Sequence, residues 1–212
     1  MEKDKFDLIL ASGSPRRKEL LGHLKLPFKI ITADTDEISD ASDPKEFCKD
    51  IALEKGKVVF DKIRLESGQK NMLVVSADTI VCLNGKIYGK PKNKDEARKF
   101  LSELAGKTHS VMTAVGIHLL YDNREEVHSF VEESHVTFNE ISDYLMEKYL
   151  ATGDSLDKAG AYGIQGPSLT FISKVSGDYA NVVGFPLSRF VVEFDKILRN
   201  LIPDGGPWEN LF

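Results

Sequence analysis

The chain has 212 residues, a formal net charge of −5, an apolar fraction of 42% and a charged fraction of 29%. That is enough for one large domain or two small lobes, with the composition of an ordinary globular protein. The acidic balance excludes a global basic field for nucleic acid. No apolar run is long enough to cross a bilayer, so neither a nucleic-acid nor a membrane partner is expected.

The N-terminus passes from Met-Glu-Lys-Asp-Lys into a short apolar run, Leu8 to Ala11, with no secretory leader pattern. This reads as a strand. It ends in Ser12-Gly13-Ser14, followed by Pro15, Arg16 and Arg17 and by the apolar pattern Leu20, Leu21, Leu24. Ser14 suits a helix N-cap, and Pro15 suits the first helical position, where its missing N–H costs nothing. A helix start with free N–H groups favours an anion, most often phosphate. Two arginines there are either solvated or held for a ligand. The helix dipole favours acidic side chains at that end, and guanidinium forks match phosphate oxygens, which argues for the ligand.

Phe28 to Ile31 is a short β-like run leading into the acidic loop Asp34-Thr35-Asp36-Glu37. Residues 44–66 carry apolar positions at helical spacing, and Ser67-Gly68 is a break. Met72 to Ala77 and Thr79 to Leu83 are strand-like, with Asp78 between them. Asn84-Gly85 is a strong hairpin signal with Lys86-Ile87-Tyr88 returning. Asn93 with Glu96 starts a helix to about Leu104, ended by Gly106. Ser110 to Tyr121 and Val127 to Phe138 are long strands joined at Asp122-Asn123. Residues 140–151 form a helix stopped by Gly153, and 154–168 are a glycine-bearing loop. Leu169 to Val175 is a strand, 186–200 a helix, and 203–212 an irregular tail. Alternating elements interrupted by a hairpin favour a mixed sheet, with residues 90–150 a candidate second lobe and a cleft between.

Asp78 is the position with most chemical content. A carboxylate inside an apolar run is costly to bury unless paired, hydrogen-bonded or bound to metal. The alternative is the solvent face of an alternating strand. Beside a phosphate grip it suits a general base or a Mg²⁺ ligand. Lys90, in Gly89-Lys90-Pro91, and Lys55, before Gly56, read singly as surface charges, and Glu37 as an exposed acid or a metal ligand. Gln165, in Gly163-Ile164-Gln165-Gly166, offers both a donor and an acceptor for a base edge. The loop does not match G-x-G-x-x-G. Cys48 and Cys82 are isolated, which points to a reducing compartment and the cytoplasm. Five scattered histidines make a histidine zinc site unlike the pattern seen here.

Taken in order, Ser12-Gly13-Ser14-Pro15-Arg16-Arg17, Ala77-Asp78-Thr79-Ile80-Val81, Gly89-Lys90-Pro91, His109-Ser110-Val111-Met112-Thr113, Asp157 to Gly166 and Asn181 to Leu187 resemble the Maf family of nucleoside triphosphate pyrophosphatases. The likeness spans about Asp7 to Leu198. It implies an α/β fold with a mixed, twisted central sheet flanked by helices, two-lobed like the inosine triphosphate pyrophosphatases. It further implies a single catalytic domain over 1–202, a homodimer, and a divalent metal (Mg, Mn or Co). The implied reaction splits a triphosphate into monophosphate and pyrophosphate. By the same likeness Asp78 is the acid–base carboxylate, helped by Lys55 and Lys90. Ser12, Arg16, Arg17, Thr79 and Gln165 bind substrate, and Glu37 with Asp78 holds the metal; the helix-start reading adds Ser14 to the substrate-binding set. The combination Arg16, Thr79, Gln165 resembles the branch acting on dTTP and UTP rather than the one acting on 7-methyl-GTP. Two departures stand out: Gly56 where the family usually has alanine, and Pro167-Ser168-Leu169 where further glycines are common. A different class of reading is a nucleotide-binding regulator of cell division, which needs the cationic grip but not Asp78.

Overall fold

The computed structural model describes residues 5–32, 34–67, 71–202 and 206–212. A mixed sheet runs through them in the order β2-β1-β3-β5-β6-β7, with β4 beside β3. The strands are β1 (Asp7–Ala11), β2 (Lys29–Ile30), β3 (Met72–Leu83), β4 (Lys86–Tyr88), β5 (Thr108–Tyr121), β6 (Arg124–Phe138) and β7 (Ile172–Ser176). The helices are α1 (Pro15–Gly22), α2 (Pro44–Ser67), α3 (Lys94–Leu104), α4 (Asp143–Ala151), α5 (Tyr179–Val183) and α6 (Leu187–Leu201). Both two-residue hairpin turns hold positive φ at both positions, Asn84-Gly85 and Asp122-Asn123. Asparagine, aspartate and glycine are the residues that tolerate this twist-matched turn.

The layout of β3 makes the site. One edge pairs with β5 along almost its whole length, from Met72↔Leu120 to Cys82↔Ser110. The other edge pairs with parallel β1 only over Met72–Ser76, and with β4 only over Val81–Leu83. Ala77 to Ile80 therefore face a gap between two partners. The strand-like stretches on either side of Asp78 form one strand: β3 continues through Asp78 because β5 supplies an unbroken ladder on the far side.

Alternation along β3 sends residues to opposite faces. Leu73, Val75 and Ala77 meet Phe185 and, on α6, Phe190, Phe194 and Ile197. Val81 meets Leu101 and Leu104 of α3 and Tyr149 of α4. Each buried Val, Leu, Ile or Phe side chain among them stabilises by about 1.5–3 kcal/mol. The other face packs on α2, through Val74 against Val59 and Ile80 against Cys48 and Ala52. Gly56 permits that approach: a β-carbon there would stand 2.5 Å from Ser76 Oγ and 2.6 Å from the His118 ring. The ring is fixed by its Nε2 contact, 3.0 Å, to the Leu53 carbonyl. The departure from alanine thus matches the side chains across the interface.

Three expectations change. Helix α5 had no counterpart in the sequence reading; it is a single short stretch capped by Asp178, whose side chain accepts from Ala180 N at 2.7 Å. The strand expected from Leu169 begins at Ile172, because Pro167–Thr170 forms a 3-10 turn. The chain end is not irregular throughout. Trp208–Asn210 is a 3-10 turn, Leu211 and Phe212 are buried, and Phe6 N donates to Leu211 O at 2.7 Å. Gly68 and the Pro203-Asp204-Gly205 part of the tail lie outside the described residues.

Candidate active site

All the sequence-selected residues meet in one place. Ser12, Ser14, Arg16, Arg17, Glu37, Lys55, Asp78, Thr79, Lys90 and Gln165 line a single cavity of about 860 Å³ at the gap in β3. Its apolar lining includes Phe47, Ile80, Ile87, Tyr162, Ile164 and Val182.

Asp78 is buried at 7% exposure and points to the α2 side. Lys55 Nζ lies 2.7 Å from Asp78 Oδ1 and 2.7 Å from Glu37 Oε1. One ammonium therefore holds two carboxylates that come from distant parts of the chain. Partial burial pushes the Glu37 carboxyl up, but Lys55, then Lys90 and Arg17, outweigh it and hold it below the ordinary range. Behind Asp78, the buried Cys48 thiol donates to the Asp78 carbonyl at 3.3 Å. Burial, then the Asp78 charge, pushes that thiol's pKa up to about 12, so it stays protonated as a donor.

Ser14 caps α1 as expected, accepting from Arg17 N at 3.5 Å, with Pro15 in the first turn. Ser12 Oγ accepts from Ser14 N at 3.3 Å and Arg17 Nη1 at 3.3 Å, which leaves its own proton to donate. The two arginines divide. Arg16 has a loose ion pair, 3.5 Å, with Asp157. Arg17 is committed to the frame: Nε to Gly184 O at 2.9 Å, Nη1 to Ala77 O at 2.7 Å and Nη2 to Thr79 Oγ1 at 3.0 Å, besides Ser12. It supplies the hydrogen bond that the gap denies to Ala77, an otherwise unpaired edge carbonyl. Burial pulls its pKa below the usual guanidinium value, with Asp78 acting against that. Lys90 is exposed and makes no hydrogen bond among the described residues.

Several of the site's supports lie in stretches that the sequence marked without assigning the single residues a role. Lys158 Nζ binds Asp154 Oδ1 at 2.8 Å and Asp157 Oδ1 at 2.6 Å, bracing the loop that carries Gln165. Ser168 donates to the Gly163 carbonyl, so the Pro167-Ser168-Leu169 departure ties that loop down. Gly160, at φ 67, lies against Val81, where a β-carbon would stand 2.8 Å away. His109 Nε2 is 2.7 Å from the Tyr162 hydroxyl, and the ring is edge-on to Phe138 and Tyr162.

Burial pulls the His109 pKa down to about 4. The unfolded chain binds a proton there near pH 6.5 and the folded chain near 4, so this contribution is intact above 6.5 and falls as pH drops toward 4. The total is about 3 kcal/mol. Urea midpoints at pH 7 and pH 5 are expected to differ less in His109→Gln than in wild type. Equal differences would remove His109 from the acid response.

Two carboxylates reached by one atom at 2.7 Å converge on a single point. Among the described residues no cluster of three or more metal-ligating side chains occurs. Lys55 Nζ sits at that point, so the two carboxylates already hold a cation between them; one or two carboxylates completed by substrate phosphates and water are a Mg²⁺-type donor set.

A family model described as Maf-like protein matches residues 7–197. A protein of Bacillus cereus (strain B4264), named dTTP/UTP pyrophosphatase, is 42% identical over 190 residues, 89% of this chain and 94% of the relative. One of Hydrogenovibrio crunogenus with the same name is 42% identical over 193 residues, 91% and 94%. A solved structure of a HAM1 protein from Coxiella burnetii aligns over 90% of this chain and 99% of that chain, at 15% identity and a TM-score of 0.40.

Proposed function

The chain belongs to the Maf-like protein family, and from that membership and the cavity's chemistry we infer that it is a nucleoside triphosphate pyrophosphatase acting on dTTP and UTP. The observation that carries this reading is the buried carboxylate Asp78 at the centre of a cavity ringed by Arg16, Lys55, Lys90 and the start of α1. A regulator that only senses nucleotides needs the cations but gains nothing from burying a carboxylate among them.

Ser12, Ser14, Arg16 and the start of α1 hold the phosphates; Ser14 already takes the Arg17 and Lys18 N–H groups, which leaves the Arg16 N–H for the ligand. Arg17 keeps Ser12 and Thr79 in place and retains one of its five N–H donors for the ligand. Asp78 takes the proton of the attacking water. Lys55 bridges Asp78 and Glu37 and, with Lys90, offsets the charge that develops on the phosphate oxygens. Glu37 and Asp78 are the residues we assign to a divalent cation (Mg, Mn or Co), which when bound neutralises phosphate charge and polarises the scissile bond. Gln165 faces the base.

We also propose one catalytic domain over 1–202 with the cleft between its lobes, a homodimer, and a cytoplasmic setting. The first two follow the family; the third rests on the unpaired Cys48 and Cys82. No helix among the described residues is long and apolar enough to cross a membrane.

Pyrophosphate release from dTTP, UTP, CTP, ATP, GTP and 7-methyl-GTP tests the reading. Higher kcat/KM for dTTP and UTP is expected. A preference for 7-methyl-GTP would keep the reaction and overturn the substrate.

A further inference from the structure

The fold fixes the proton direction of the Thr79 hydroxyl. Arg17 Nη2, 3.0 Å from Thr79 Oγ1, can only donate. Thr79 Oγ1 also lies 3.0 Å from Thr113 Oγ1, directly opposite on β5. Thr113 spends its single proton on the Asn181 carbonyl, 3.0 Å away. It has none left for Thr79 and must accept. Thr79 therefore donates inward, accepts from Arg17, and keeps one lone pair. Thr113 is fully buried, whereas Thr79 is partly exposed and lines the cavity.

The rest of the chain of hydrogen bonds is equally directional. Asn181 Nδ2 donates to Val111 O at 3.0 Å and to Ser134 Oγ at 2.9 Å, and Ser134 spends its proton on Asp178 O at 3.0 Å. These bonds hold Asn181, whose backbone carbonyl takes the Thr113 proton, in place.

We propose that Thr113 is a positioning residue for base choice: by taking the Thr79 proton it makes Thr79 a pure acceptor toward the cavity, matched by the ring imide N–H of a pyrimidine-dione base. The proposal rests on the reading of this cavity as a nucleoside triphosphate site and deepens it. Among the substrate's own groups, ionised phosphate oxygens offer no donor, so a substrate partner for this lone pair is on the nucleoside. Thymine and uracil carry N–H at N3. Cytosine presents a bare acceptor there, which would face the Thr79 oxygen and leave both unpaired. A sugar hydroxyl is the other donor available, but nucleotides of every base share it, so it gives no base choice.

The experiment measures kcat/KM for UTP, CTP, N3-methyl-UTP and 3′-deoxy-UTP with wild type, Thr113→Val and Thr113→Ser, with thermal melts to check folding. Wild type is expected to favour UTP over CTP and over N3-methyl-UTP by roughly 10²-fold or more. Thr113→Val frees the Thr79 proton to point into the cavity, and the UTP-to-CTP ratio should fall by about tenfold; Thr113→Ser should restore it. A variant that slows both substrates equally, with the ratio unchanged, overturns the proposal and leaves Thr113 a structural residue. Wild-type tolerance of N3-methyl-UTP together with a loss on 3′-deoxy-UTP also overturns it, and that arm needs no variant to fold. Failure to release pyrophosphate from any triphosphate would instead bring down the underlying reading.

Discussion

Asp78→Asn should fold normally and release pyrophosphate about 10²–10⁴-fold more slowly. The side chain keeps its shape, and its hydrogen bond from Lys55, at 2.7 Å, finds an oxygen in asparagine as well. What disappears is the proton acceptor and the negative charge. The strand itself does not depend on the carboxylate: β3 is held by β5 and by the Cys48 thiol behind the Asp78 carbonyl. Melting temperature and kcat measured together separate the two effects. Near-normal turnover in a stable variant would take Asp78 out of the chemistry.

Arg17→Lys is expected to lose both stability and activity, in contrast to Arg16→Lys. Arg17 joins Ser12 after β1, Ala77 and Thr79 in the gap of β3, and Gly184 at the end of α5. A lysine keeps the charge, but its three protons radiate from one atom and cannot span those four acceptors. Each buried acceptor left unpaired costs about 1–3 kcal/mol, so a loss of about 2–4 kcal/mol in urea unfolding is expected, with a fall in kcat/KM as Thr79 loses its anchor. Among the described residues Arg16 makes only the 3.5 Å pair with the exposed Asp157, so Arg16→Lys should keep wild-type stability while weakening substrate binding. Wild-type stability in Arg17→Lys would return Arg17 to a purely ligand-binding role.

These two arginines show where the sequence ends as a guide. Adjacent residues at a helix start read alike, because helix phase alone does not say which one turns under the sheet. Local features were legible: the Ser14 cap, the helix over 44–66 observed as Pro44–Ser67, both hairpin turns, and the strain of a carboxylate in an apolar run. The family likeness supplied the rest of the site's membership, and the ten residues it selected do line one cavity. Their division of labour was not legible. Lys55 bridging Glu37 and Asp78 depends on how α2 lies across the sheet. The Thr79–Thr113 contact depends on the β3–β5 register, which alternation does not fix between two strands buried on both faces along most of their length. Helix α5 is too short for a periodic signal. Leu211 and Phe212 follow a Gly- and Pro-rich stretch that reads as the end of structure, yet they are buried in the core with Phe6 and Phe194.

The central claim is that this cavity splits a nucleoside triphosphate between its α and β phosphates. Chromatography of the nucleotide product from dTTP, with inorganic products resolved by ³¹P NMR, tests it most directly. The account predicts dTMP and pyrophosphate in equal amounts, with both lost in Asp78→Asn. A product of dTDP and orthophosphate, or release that persists unchanged in that variant, would contradict it.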